Sequence, residues 1–170
     1  HVGSPAERWA YHVLVTCDAR SHRGAPGTAA DYLSYGRDVR APADGRVVAV
    51  HDGDPDAVAG RPDRGRRAGN HVVIEVARSE YLFVAHLRAH SLRVAVGDDV
   101  TRGQVLGQVG NSGNSSEPHV HLHLQDTPTP EFGEGVPMAF VDYRLVGTTT
   151  VVREDSPWVG SVEASFLGRS

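Results

Sequence analysis

The chain has 170 residues, about the size of one domain, with 17 Lys+Arg (every one an Arg), 21 Asp+Glu, a formal charge of −4, ten His and one Cys. A mildly acidic chain with no basic domain is a poor nucleic-acid binder. A lone Cys forms neither an intrachain disulfide nor a Cys-based zinc site, and the absence of Lys rules out a Schiff base, a Walker-type phosphate clamp and a lysine-tethered cofactor.

In chain order, residues His1 to Ala10 lack a basic head followed by an apolar run, so no signal peptide is expected there. No apolar stretch reaches the ~18 residues of a membrane span. Val, Ile and Leu runs predict strands at Trp9–Thr16, Arg46–His51, His71–Ala77, Tyr81–Leu87, Val105–Val109 and His119–Gln125, with a last strand at Thr148–Arg153. Gly, Asp, Asn and Pro separate them, and no window carries a sustained 3.6-residue period. The expectation is one all-β domain over 1–170, an antiparallel sheet or sandwich. Gly53–Gly69 and Thr127–Pro137 read as long connections. Arg61, Arg64, Arg66 and Arg67 share the first with Asp54, Asp56 and Asp63, and read as a solvated charged loop.

The segment Pro118–Asp126 reads PHVHLHLQD. Residues two apart share a face of a strand, so His119, His121 and His123 point one way, and Val120, Leu122 and Leu124 the other. The apolar face is core. Three aligned imidazoles call for a metal or a proton-transfer centre, the two tasks for which histidine is suited near neutral pH. The Gly/Asn/Ser-rich stretch just before it, Gly107–Glu117, reads as a groove wall, with Asn111, Ser112 and Asn114 as candidate substrate contacts. His12, His51, His71 and His90 read as structural or surface residues, and Cys17 as a buried small side chain.

Three segments together resemble the zinc metallopeptidases of the lysostaphin/LytM type, peptidase family M23. They are DVRAPADGRVVAVHD at Asp38–Asp52; GNHVVIEV, VAHL and VGDDVTRGQVLGQVGNSG between Gly69 and Gly113; and PHVHLHLQD. The likeness runs from about Ser21 to Asp126, which leaves 127–170 as a C-terminal extension packing on the core. It implies an antiparallel LytM-type sheet with long groove-lining loops around residues 22–35, 53–69 and 107–117. It also implies a single Zn2+ and hydrolysis of peptide bonds in bacterial peptidoglycan, outside the cytoplasm.

By the same resemblance His121 is a zinc ligand, and His86 of VAHL and His119 are catalytic histidines. The family's first motif, His-x-x-x-Asp, has two registers here. Through Asp38 it places Ser34 at the histidine position. Aligning Gly36 and Val39–Pro42 instead makes Asp31 the carboxylate and His22 the imidazole, across a longer gap; this register is preferred, giving His22, Asp31 and His121 as the metal set.

Two His and one carboxylate suit a catalytic zinc, and two further His supply proton transfer and oxyanion stabilisation. His123, on the metal-facing side, is a candidate to hold the Asp31 ligand or to bind a substrate carbonyl. The hairpin VAVGDDVTRGQVLGQVG also resembles a lipoyl- or biotin-carrier domain, which the missing Lys excludes. The alternative that stands is a ligand-depleted, catalytically inactive LytM-like scaffold or regulator of cell-wall hydrolysis, with regulatory protein partners. No nucleic-acid partner is expected.

Overall fold

The computed structural model describes residues 4–140 together with Tyr143–Arg144 and Val151–Val152. Eleven strands are present among them: β1 Tyr11–Val13, β2 Asp38–Arg40, β3 Gly45–His51, β4 Asn70–Ala77, β5 Glu80–Leu87, β6 Asp99–Val100, β7 Val105–Gln108, β8 Val120–Gln125, β9 Gly135–Val136, β10 Tyr143–Arg144 and β11 Val151–Val152. The principal sheet runs β1-β8-β5-β4-β3-β6, with β9 on β8; β2 pairs with β7, and β10 with β11. Every pairing is antiparallel, so the all-β expectation holds.

The long apolar runs became the central strands, as burial on both faces requires. In β4, Val72 and Ile74 enter the core while Val73 is buried on the opposite face. The core lies between the principal sheet and the β2–β7 pair. It joins Val47, Val72, Ile74, Leu82, Val84, Leu122 and Leu124 to Val39, Ala41, Leu106 and Val109. Each of the Val, Leu and Ile side chains stabilises the fold by about 1.5–3 kcal/mol when fully buried.

The strand expected over Trp9–Thr16 is only Tyr11–Val13. Its partner β8 begins at Val120, opposite Val13, and the preceding Pro118 has no N–H with which to extend the ladder. Val151–Val152 is strand, while the rest of the Thr148–Arg153 expectation lies outside the described residues. Of the C-terminal extension, Val136, Met138 and Phe140 pack against the core, and most of the remainder lies outside the described residues. Cys17, expected to be buried, is exposed: it sits in a tight turn where Cys17 and Arg20 exchange backbone hydrogen bonds of 2.9 and 3.0 Å.

The Gly53–Gly69 connection carries no strand, and is tied down across its length. Ala57 N–H donates to Asn111 O (2.9 Å), Gly60 N–H to Ser116 O (2.8 Å) and Asp63 N–H to Gly113 O (3.0 Å). Two of its arginines are paired, Arg66 with Asp54 and Asp63, and Arg67 with Glu7 and Glu131. At the crossing of this loop with the 107–117 stretch, Gly69 and Gly113 both have positive φ. A Cβ on Gly113 would lie 2.3 Å from Arg66 O, and one on Gly69 2.5 Å from the Ser112 carbonyl carbon. Only glycine permits both the left-handed backbone and the close approach.

Candidate active site

β8 places its histidines as its alternation dictates. Leu122 and Leu124 enter the core, and His121 and His123 lie buried on the opposite face. His119 precedes the strand and is also buried. Its Nδ1–H donates to Glu117 O at 2.7 Å, within a turn where Ser115 Oγ–H donates to the same carbonyl at 2.8 Å. The proton is thus on Nδ1, leaving a lone pair on Nε2. That Nε2 is buried and has no hydrogen-bond partner, which marks a place built for a reaction partner.

His86 arrives by a different route. Val72 pairs with Val84 but Asn70 pairs with Leu87, so β5 carries one extra residue in this stretch. His86 absorbs it with a φ of +63°. The bulge decides which way His86 faces: a regular strand would put it on the face of Leu82 and Val84. Instead Leu87 joins those two in the core, and His86 turns to the face of His121. Its Nδ1–H donates to Ser112 O at 2.8 Å, leaving Nε2 as a lone pair. Ser112 is itself held, its Oγ–H donating to Leu87 O (2.8 Å) while Oγ accepts from Asn70 N–H (2.9 Å).

The ring centroids of His86 lie 4.9 Å from His119 and 5.6 Å from His121. A fourth imidazole, His12, joins them, which corrects the reading of it as structural. β1 pairs His12 with His121, His12 Nε2 lies 3.1 Å from His121 Nδ1, and its ring is 4.5 Å from that of His119. Among the described residues, His12, His119 and His121 form the one group of metal-competent side chains whose ligand atoms all fall within 4.8 Å of one another. His12 carried a usable signal: it sits between Tyr11 and Val13 as His121 sits between Val120 and Leu122.

The cluster is neutral. Burial, followed by repulsion from His119, lowers His12 to about 4 and His86 to about 3. Burial also lowers His119 and His121, the latter with repulsion from His123; in His119 the carbonyl and charge of Glu117 work the other way. Neutral imidazoles present the lone pairs that metal binding and general-base catalysis require. His12, His86 and His119 line a cleft of about 170 Å³ whose rim is Leu14, Pro62, Asn114, Ser116 and Glu117. The 53–69 and 107–117 loops therefore supply walls, as the sequence implied.

His22 and Asp31 are brought to each other but not into the imidazole cluster. A bridge pairs His22 with Tyr32, and Arg23 N–H donates to Asp31 O at 3.0 Å. His22 Nδ1–H donates to Gly24 O (2.7 Å). Asp31 Oδ2 accepts from the N–H groups of Thr28 (2.8 Å) and Gly27 (2.9 Å), which hold its carboxyl below the usual range. Their loop meets the cleft at its rim, where Ser21 Oγ–H donates to Glu117 Oε2 at 2.5 Å.

Of the candidate substrate contacts, Asn114 is exposed and lines the cleft. Asn111 is buried, donating to Ala57 O (2.8 Å), and Ser112 is buried behind His86. His123 is buried with both ring nitrogens engaged, by His121 and Gln125.

Comparison with known proteins bears on the same face. The profile described as Peptidase family M23 matches residues 26–131, a span that includes Asp31, His86, His119 and His121 but neither His12 nor His22. Endolysin 2638A of Staphylococcus phage 2638A is 32% identical over 98 residues, covering 57% of this chain but only 18% of that protein. Among solved structures, a mutant of the catalytic domain of the prophage-encoded M23 protein EnpA from Enterococcus faecalis is 25% identical, covers 74% of this chain and 93% of its own, and has a TM-score of 0.47. The catalytic domain of the antimicrobial peptidase lysostaphin from Staphylococcus simulans is 19% identical, with coverage of 69% and 86% and a TM-score of 0.44.

Proposed function

From the premise that this chain belongs to peptidase family M23, we propose that it is a zinc-dependent endopeptidase cleaving peptide bonds of bacterial cell-wall peptidoglycan, outside the cytoplasm. The observation that carries the reading is the buried, unpartnered Nε2 of His119, on the same cleft as His86 and two residues from His121. The relative named an endolysin supports a cell-wall substrate.

The donor set fits a metal. It is rich in neutral imidazole, the commonest metal ligand, and the ligand atoms of His12, His119 and His121 converge, while His22 and Asp31 stand outside that convergence. His121 belongs to both candidate sets, the family's with His22 and Asp31 and the geometric one with His12 and His119. We assign the ion to His22, Asp31 and His121. This leaves His119 for the substrate and supplies the carboxylate that the all-imidazole set lacks. Zinc, when bound, polarises the scissile carbonyl and brings the pKa of water to about 7.

The chain's own residues supply the rest. Ser112 O and Glu117 O hold the Nδ1 protons of His86 and His119, so both Nε2 lone pairs are available to the cleft. At His119 the carbonyl and charge of Glu117 oppose the lowering that burial causes, and we assign it the role of base. It takes one proton from the attacking water and returns it to the leaving amine. His86 Nε2 accepts a hydrogen bond from the water or the substrate and orients it.

The test is digestion of purified peptidoglycan, read by mass spectrometry, wild type against His119→Ala. New peptide termini with wild type alone are expected; no cleavage by either protein would leave the scaffold reading, and equal cleavage by both would remove the catalytic role of His119. Zinc stoichiometry of Asp31→Ala and His12→Ala separates the two donor sets. Loss of the ion in Asp31→Ala supports the assignment, and loss in His12→Ala alone replaces it with the geometric set.

A further inference from the structure

Beyond the reacting histidines, β8 carries His121, His123 and Gln125 on one buried face, at successive i, i+2 positions. They form a continuous chain of hydrogen bonds. His121 Nε2 lies 2.9 Å from His123 Nδ1, and His123 Nε2 lies 3.1 Å from Gln125 Oε1. The far end of this chain has a fixed polarity. Gln125 Nε2 faces three carbonyl oxygens, those of Thr127 (2.7 Å), Thr129 (2.8 Å) and Phe132 (3.0 Å).

Those carbonyls accept and cannot donate, so the amide nitrogen must face them. The reverse orientation would set Oε1 against three oxygens in a fully buried site. With Oε1 turned toward His123, the His123 proton is on Nε2, and its Nδ1 is an acceptor. That acceptor requires a proton on His121 Nε2. The lone pair of His121 is then on Nδ1, the atom turned toward His12 and the imidazole cluster. Phe83 stacks on the His123 ring at 4.6 Å and 10°, which prevents the ring from turning out of the chain.

We propose that Gln125 and His123 are positioning residues: a two-step relay, anchored on the 127–132 loop, that fixes the Nε2–H tautomer of His121 and presents its Nδ1 lone pair to the metal. The inference rests on the reading of His121 as a zinc ligand. It gives His123 a task different from substrate contact, and Gln125 a task that its sequence position did not suggest. Partners that hold a metal-ligating His in one tautomer typically change metal affinity or activity by about 10–100-fold when removed.

The relay is tested first in zinc-free wild type, by long-range 1H–15N correlation of the imidazole nitrogens. The expected pattern has His121 and His123 protonated on Nε2, and His86 and His119 on Nδ1. A proton on Nδ1 of His121 overturns the relay, with no variant needed. The second arm measures zinc dissociation constants by chelator competition. His123→Leu removes the acceptor and is expected to weaken binding about 10–100-fold. His123→Asn places a carbonyl oxygen near the former Nδ1 and is expected to restore most of the affinity. Affinity unchanged in a folded His123→Leu, or equally poor in both variants, overturns the proposal. Should wild type show the expected tautomers and yet bind no zinc, the relay stands and the reading of His121 as a ligand fails.

Discussion

His86 reaches the cleft through a backbone conformation that few side chains adopt, a φ of +63° inside a strand. Such strain costs of order 1–3 kcal/mol and persists where surrounding structure over-determines it. Here three bonds do so: Ala68 O and Gly110 N–H hold the His86 backbone at 3.2 and 3.1 Å, and Ser112 O holds its ring. The other reacting residue, His119, is the cleaner mutational target because its turn does not depend on its ring alone. His119→Ala is expected to lower kcat by about 10²–10⁴, the usual contribution of a positioned acid–base group, while zinc content stays at wild-type level. Steady-state kinetics on a defined cell-wall peptide, paired with metal analysis, checks both halves. Ser112→Ala strips the Asn70 N–H of its buried acceptor and the Leu87 carbonyl of a donor. A stability loss of about 1–3 kcal/mol is expected in denaturant titration.

At the level of elements, two strands illustrate what periodicity conveys. β8 was legible from the sequence because nothing interrupts its two-residue alternation, so the residue pattern and the two faces coincide. β5 was not, because a bulge has no period: Val84 and Leu87 share the core face three positions apart, and only the pairing with β4 shows it. The loops behave similarly. Their glycines announce turns, but that Gly69 and Gly113 lie against each other is a tertiary fact. Gly113→Ala is expected to destabilise by roughly 1–3 kcal/mol, from the φ of +72° and the 2.3 Å approach to Arg66 O. Its melting temperature should fall by about 2–4 °C per kcal/mol, and a melting temperature equal to wild type would contradict the close approach.

For the whole molecule, the buried imidazoles make stability depend on pH in a definite direction. His86, at about 3, binds protons less readily folded than unfolded, where histidine titrates near 6.5, and His71, His119 and His123 are shifted the same way by burial; His12, at about 4, is solvent-exposed and contributes less than its shift suggests because water screens it. Between pH 6.5 and about 4 the unfolded chain therefore binds more protons, and the metal-free protein should lose stability as pH falls through that window. The slope approaches ~1.4 kcal/mol per pH unit for each buried imidazole still neutral when folded, and is absent above pH 7. Urea titrations of EDTA-treated protein at pH 7, 6 and 5 check the sign. Zinc at about 1,000 times its dissociation constant should add ~4 kcal/mol to stability at neutral pH, read as a higher melting temperature that EDTA reverses.

What the sequence by itself determined is chemistry that follows from local pattern: the all-β class, the imidazole face of β8, the loops rich in turn residues, and the exclusion of every lysine-dependent cofactor. What only the tertiary structure decided is which distant residues share a point in space. The register of β1 on β8 brings His12 to His121 across more than a hundred residues. The bulge in β5 swings His86 away from the core, and the carbonyls of the 127–132 loop orient Gln125. Each depends on strand pairing or backbone direction between segments remote in the chain, and no local periodicity encodes that.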